Sequence, residues 1–309
     1  MTKIDILELV WVILHIEVVK WVYIIYNKSM KFDFDVKKDI EYSLESKKIG
    51  LDFFCKLNDL SRKTIYNQIL NPNNFKTLNK IYDGIYDLGI RLNKIKSEIF
   101  QETSFNNNLI LFHGSKNGID EISYNGSRND CDFGAGFYLT KSYESALSFV
   151  ESNTESSIYA YKLDLNNLNI VELESSIEWM LLICHYRKQL NISSKFEEIV
   201  KKVENADVVI APIADNKMFE ILNEFENGLI TTVQALHALS ASRLGKQYVI
   251  RTKKAVDNLA LINHMFVCPK EKDDSKSKSQ ERANEIDTKI FYAKREFRNQ
   301  GKYIDELIR

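Results

Sequence analysis

The hydrophobic pattern changes character three times along the chain. The first stretch is densely apolar, Leu9–Ile16 and Trp21–Tyr26, interrupted by Glu17 and Lys20 and preceded by Glu8. No uncharged run approaches the roughly 18–20 residues that a spanning helix needs. The stretch also lacks the basic start and small-residue cleavage site of a signal peptide. Ile4–Tyr26 therefore predicts a helix buried against the rest of the protein or against a second subunit. A short connection, Lys31–Val36, follows. Over Lys37–Lys96 apolar residues then recur at helical spacing, which predicts four or five short helices. Asn58-Asp59-Leu60-Ser61 reads as a turn ending in an N-cap serine, Asn71-Pro72-Asn73-Asn74 as a loop, and Gly89 as a helix C-cap.

The polar stretch Ser97–Asn108 marks a boundary, and beyond it the period shortens. β-type runs are predicted at Leu109–His113, Gly136–Thr140, Ile158–Leu163, Val208–Pro212 and Gln247–Thr252. Helical stretches are predicted between them at Tyr143–Ser152, Ile177–Gln189, Ser194–Val203, Asn216–Glu224 and Thr232–Leu239. Lys270–Ser279 is charged and serine-rich with no apolar period, which predicts a solvated linker or a helix entry. Glu281–Arg309 is a final helical segment with Ile286, Ile290, Phe291, Phe297 and Ile304 as its buried stripe. The expected class is α+β in four parts. These are an apolar helix over 1–32, a helical module over 33–100, a mixed domain over 101–267, and a linker with a C-terminal helix over 268–309.

Composition narrows the function classes. The chain is 44% hydrophobic and 28% charged, enough for a sizeable core. A formal net charge of -1 makes no global demand for nucleic acid. Cys55, Cys131, Cys184 and Cys268 are far apart, with no CxxC and no nearby histidine pair. Neither a zinc site nor a disulfide framework is expected, and scattered thiols fit a reducing cytoplasm. No metal and no membrane partner are expected.

The helical module departs from the neutral average. Over Val36–Lys96 there are 12 Lys/Arg against 7 Asp/Glu, a local charge of +5. Asp52–Leu57, a turn, and a second helix opened by Ser61 resemble the helix-turn-helix of the lambda-repressor-like family, with bulky Phe53-Phe54-Cys55 where that family carries a small residue. The resemblance implies that the second helix enters the major groove of duplex DNA, presenting Arg62, Lys63, Thr64, Asn67 and Gln68. A protein-contact module with solvated cations is the alternative.

The mixed domain carries the chemistry. Leu111-Phe112-His113-Gly114-Ser115 and, about two dozen residues on, Asp132-Phe133-Gly134-Ala135-Gly136-Phe137-Tyr138-Leu139-Thr140 resemble the first two active-site segments of poly(ADP-ribose) polymerase-like ADP-ribosyltransferases. That family splits a β-sheet around NAD. The likeness implies that Gly114 admits close backbone approach to the nicotinamide amide. It further implies that His113 holds a ribose hydroxyl and that Tyr138 packs on the nicotinamide ring. The family places a second aromatic 11 residues after that tyrosine, and Phe149 stands there. Ser115, Phe133, Gly136, Phe137 and Thr140 are implied as further cofactor contacts, and Arg128 as a pyrophosphate ligand. With Trp179, the Ala211-Pro212-Ile213-Ala214-Asp215 segment and Gln247-Tyr248-Val249, the span Leu109–Leu261 is similar to an uncharacterised bacterial ADP-ribosyltransferase-like family.

The third catalytic position departs from the pattern. The family begins a late strand with an acid that binds the 2′-hydroxyl of the nicotinamide ribose, and the matching residue here is Gln247. Asp207 and Asp215 are the other acids in reach, with Asp215 preferred because it follows a buried strand in a loop. The expected function is mono-ADP-ribosylation of a macromolecule, nucleic acid or protein, with NAD as substrate. The expected setting is bacterial conflict, phage defence or a toxin–antitoxin pair, with an antitoxin or a second copy of the chain as further partners. A non-catalytic NAD- or ADP-ribose-sensing DNA-binding regulator and an NAD glycohydrolase are the alternatives.

Overall fold

The computed structural model describes residues 34–104, 108–153, 155–187, 196–213, 216–240 and 245–308. The N-terminal apolar helix and Asp215 lie outside the described residues.

The module forms five helices: α1 (Val36–Lys47), α2 (Leu51–Leu57), α3 (Arg62–Leu70), α4 (Phe75–Asp87) and α5 (Leu92–Glu102). Their ends are set by local chemistry. Asp35, Ser61 and Asn74 each accept a backbone N–H from the first turn of α1, α3 and α4. Gly89 follows α4 with φ +76°, the left-handed conformation glycine adopts without strain. Phe54, Ile65, Leu78 and Ile81 are fully buried at the centre, so the core absorbs Phe54, with Cys55 beside it, while Phe53 stays exposed. α5 runs on through Glu102, past the start of the polar stretch expected to end the module.

The larger domain is a seven-stranded sheet in the order β4-β5-β6-β2-β1-β3-β7. The strands are β1 (Asn108–Ser115), β2 (Phe137–Thr140), β3 (Ser157–Asp164), β4 (Ile170–Glu172), β5 (Val208–Pro212), β6 (Lys246–Ile250) and β7 (Leu259–Phe266). Among the described strands, β4 and β5 pair in parallel and the other pairs are antiparallel. β4 and β7 were not expected; β4 is three residues long and half exposed, too short to show a period.

The sheet is not evenly bonded. β1 pairs with β3 over eight positions but with β2 at a single registered pair, Phe112–Thr140. The two halves, β1-β3-β7 and β2-β6-β5-β4, thus part along one seam.

Helices cover both halves. α6 (Tyr143–Ser148) lies near the seam, and α7 (Ile177–Tyr186), α8 (Glu197–Glu204), α9 (Asn216–Glu226) and α10 (Thr232–Ser240) build a core around fully buried Trp179 and Phe225. α11 (Lys253–Asp257) links β6 to β7.

The charged stretch Lys270–Ser279, read as a solvated linker or a helix entry, is the entry of a 28-residue helix, α12 (Pro269–Glu296), followed by α13 (Ile304–Ile308). Periodicity alone does not choose between the two because the helix's support is polar. Ser275 Oγ donates to Glu151, Lys272 Nζ donates to Asn153 O at 2.9 Å, and Lys278 pairs with Asp274 one turn back.

The module and the sheet share a core. Phe266 and Cys268, at the end of β7, pack among the module's buried residues. Asn93 of α5 donates to Phe266 O at 2.7 Å and to Glu271 at 2.8 Å.

Candidate active site

The seam brings most of the sequence candidates together. Side chains alternate faces along a strand. With Phe112 opposite Thr140 and Thr140 opposite Gln247, alternation puts Gly114, Tyr138 and Gln247 on one face and His113 on the other. His113 stacks there on Phe137, with ring centroids 4.4 Å apart. A ligand touching all of these must enter the seam between β1 and β2 instead of lying on one face.

His113 crosses that seam. Its Nδ1 is 2.7 Å from Tyr138 O. A carbonyl can only accept, so Nδ1 carries the proton and Nε2 of the neutral ring is left as an acceptor. Burial pushes the imidazole pKa down, against the opposing pull of the Tyr138 carbonyl, and keeps the ring neutral at pH 7.

Tyr138 is held by the turn that precedes it. Its hydroxyl donates to Gly134 O at 2.7 Å and accepts from Phe133 N at 3.1 Å. Burial raises its pKa, so the phenol stays protonated. Gly134 has φ +72°, and a Cβ on Gly136 would lie 2.5 Å from Val249 Cγ1. The glycines are therefore dictated by the turn as well as by any ligand. The same is true of Gly114, where a Cβ would lie 2.5 Å from Ala146 O and 2.9 Å from Val150 Cγ1 of the α6 segment.

Phe149 follows α6 and is 60% exposed, an unusual position for a large aromatic beside a glycine-lined seam. Arg128 is also exposed, 3.6 Å from Asp130, while neighbouring Ser127 Oγ accepts from Gly136 N at 3.0 Å. Its backbone is thus anchored to the turn and its guanidinium reaches outward.

Other expected contacts have inward roles. Phe133 is fully buried, so only its backbone can meet a ligand, and its carbonyl already accepts from Arg251. Ser115 is buried and donates to Gly118 O at 2.9 Å. Thr140 is buried and its Oγ1 accepts from Ser142 N at 3.2 Å. The hydroxyls of Ser115 and Thr140 close loops and the Phe133 ring fills the core, which sequence spacing does not reveal.

Asp207 is structural. Its carboxylate is partly desolvated, but hydrogen bonds from Asn169 N, Thr252 and Lys254 outweigh that and hold its pKa below the usual range. It precedes β5, four residues from Ala211, the partner of Gln247, or about 13 Å along the strand.

The acid that sequence reasoning passed over is Asp132. It is buried below the glycine turn, where Gln247 Nε2 donates to Oδ2 at 2.8 Å and Arg187 donates to Oδ1. The only sequence signal was its place beside Phe133-Gly134, since Arg187 lies 55 residues away.

The module's face divides. Arg62 and Lys63 are exposed on α3, with Arg62 forked onto Asp52 of α2. Asn67 is exposed and Thr64 hydrogen-bonds the cap residue Ser61 at 2.7 Å. Gln68 does not join this exposed set. It is buried and accepts from Asn74 N at 3.2 Å, holding the loop between α3 and α4. Tyr66 and Leu70 are exposed on the same helix, and Phe53 and Leu57 on α2.

Among the described residues no cluster of His, Cys, Asp or Glu could hold a metal, and no helix is long and apolar enough to cross a membrane. A family described as a protein of unknown function, DUF3990, matches residues 109–261, just under half of the chain. The match contains the whole seam site and neither the helical module nor α12. No curated protein and no solved structure matches.

Proposed function

We propose that the seam binds NAD and that the protein transfers ADP-ribose from it to a macromolecule, nucleic acid or protein. The observation that carries the reading is the single registered pair between β1 and β2, with His113, Tyr138 and Gln247 disposed around the parting strands. The poly(ADP-ribose) polymerase-like likeness implies a sheet split around NAD, and a sheet thinly bonded between these strands supports that reading.

The residues suit the task in distinct ways. His113 Nε2 accepts a ribose hydroxyl. The ring of Tyr138, fixed at its hydroxyl end, and the exposed ring of Phe149 flank the nicotinamide. Gln247 accepts the 2′-hydroxyl. As the bond from C1′ to nicotinamide lengthens, positive charge spreads over C1′ and the ring oxygen, and pre-set acceptors gain strength there. Arg128, exposed and anchored beside the turn, suits the pyrophosphate.

Gln247 carries no charge, and this favours a second reading, a regulator that senses NAD or ADP-ribose without turnover. Incubation with labelled NAD decides. Label on protein or nucleic acid supports transfer, free ADP-ribose supports a glycohydrolase, and bound but unchanged NAD supports the sensor. No binding of either NAD or ADP-ribose by calorimetry refutes all three.

The module fits duplex DNA by its +5 charge and by Arg62, Lys63 and Asn67 on one exposed helix. Exposed Tyr66, Leu70, Phe53 and Leu57 favour a protein partner on the same face instead. Replacing Arg62 and Lys63 by alanine should weaken DNA binding and reduce its salt slope by about one unit per lost phosphate contact. Absence of binding at low salt leaves the protein-contact role. Either role fits a conflict or toxin–antitoxin setting.

A further inference from the structure

Both hydrogens of the Gln247 amide are taken by acceptors, Asp132 Oδ2 at 2.8 Å and Pro212 O at 3.0 Å. Flipping the amide would set Oε1 against a carboxylate and a carbonyl, so the orientation is fixed with Nε2 inward. Oε1 is the atom left to meet a further donor. Asp132 is itself clamped by Arg187, which donates through Nε at 2.9 Å and through Nη2. Arg187 in turn lies over the Phe219 ring, 4.4 Å from its centroid. The chain Phe219–Arg187–Asp132–Gln247 therefore runs from α9 through the C-cap of α7 and the glycine turn to the first positions of β6.

From this geometry we infer that Asp132 is a positioning residue of the transfer reaction. It holds Gln247 Oε1 as the acceptor of the ribose 2′-hydroxyl and polarises the amide toward that acceptor, where the third catalytic position lacks an acid. The inference rests on the transferase reading above. In the step concerned, the bond from C1′ to the nicotinamide nitrogen breaks, with its electron pair leaving on nicotinamide. A lone pair of the acceptor closes the new bond to C1′, and the acceptor's proton passes to water. A carboxylate hydrogen-bonded to Nε2 polarises the amide and strengthens Oε1 as an acceptor. That interaction tightens as charge develops on the ribose, so it acts on the chemical step more than on binding.

One consequence reverses the simplest expectation from family likeness. Restoring the family's acid by Gln247→Glu would set a second carboxylate against Asp132 and Pro212 O. With both ionised, like charges at hydrogen-bond distance repel and push the glutamate out of position. The acid should function there only once Asp132 is neutralised.

The test measures nicotinamide release, NAD affinity by calorimetry and thermal melting for the parent, Asp132→Asn, Gln247→Glu and the double variant. Asp132→Asn should lower kcat roughly 10–100-fold with KM near parental. Gln247→Glu should lose activity at pH 7.5 and regain it toward acid, where the pair shares a proton. The double variant should exceed Gln247→Glu by roughly tenfold or more and show no such acid recovery. A parent that cleaves NAD, with Asp132→Asn at parental kcat or the double variant no better than Gln247→Glu, overturns the role of Asp132 and leaves the transferase reading standing. A parent that cleaves no NAD overturns both. If Asp132→Asn fails to fold, the pH profile of Gln247→Glu decides, and a flat profile overturns the assignment.

Discussion

Phe149→Ala is the cleanest probe of the seam as an NAD site, because the ring contributes little to the free protein. A phenylalanine side chain can bury roughly 200 Å². With 60% of the residue exposed, about 120 Å² remains to be covered by a ligand. A nicotinamide ring stacking on one face covers about half of that, and 60 Å² at roughly 25 cal/mol per Å² is about 1.5 kcal/mol. The expected loss of NAD affinity is therefore on the order of tenfold. Exposed positions away from caps and strained turns change stability by roughly 0.5 kcal/mol or less, so the melting temperature should hold within a few degrees. Calorimetry of NAD binding beside a melting curve of the free variant is the assay. Parental affinity in a normally folded variant would refute the aromatic flank. A large loss of melting temperature would show instead that the ring packs into its own domain.

Three further outcomes follow from the same geometry. Tyr138→Phe keeps the ring but leaves Gly134 O and Phe133 N without their partner. It should cost about 1–3 kcal/mol, and a parental melting temperature would show that the turn does not depend on the hydroxyl. Gly114→Ala should destabilise by roughly 1–3 kcal/mol, because its Cβ meets the Ala146 carbonyl; lost NAD binding in that variant is diagnostic only if melting shows it folded. Glu271 accepts from Tyr143 at 2.8 Å and from Asn93 at 2.8 Å, and burial pushes its pKa up to about 7 from an ordinary 4.5. The folded state then keeps a proton that the unfolded state loses. Stability should be fully present below about 4.5 and fall as pH rises through about 7, a slope that Glu271→Gln should flatten in melts across that range. An unchanged slope in the variant would assign the pH dependence elsewhere.

The parts of the fold legible in the sequence are those whose stability is local or periodic. Ser61 and Asn74 announce their helices because a side-chain oxygen facing an unpaired N–H is a signal within one turn. The interior strands announce themselves because runs such as Val208–Pro212 bury nearly every side chain. The opening of α12 was opaque for the opposite reason. Its buried positions include Lys272 and Ser275, whose partners Asn153 and Glu151 belong to a distant loop. Gln68 is ambiguous in the same way, since a polar residue on a helix expected to meet DNA is indistinguishable in sequence from one satisfying the next loop.

The seam divides along the same line. His113, Gly114, Tyr138 and Phe149 could be read because each sits at a fixed offset within a short segment, and the structure sets the first three around one parting of strands. What could not be read is which atoms are still available for chemistry. Ser115 and Thr140 have the right residue type and nearness, yet their hydroxyls close loops. Gln247 appears in sequence as an acid lost. In the structure it is an amide whose two hydrogens are committed and whose carboxylate neighbour comes from 115 residues away. On the transferase reading, acceptor strength at the third position is thus a property of the pair and not of the residue. A motif search for a single glutamate would pass over this chain, whereas the Asp132–Gln247 contact predicts that neither residue can be exchanged without compensating at the other.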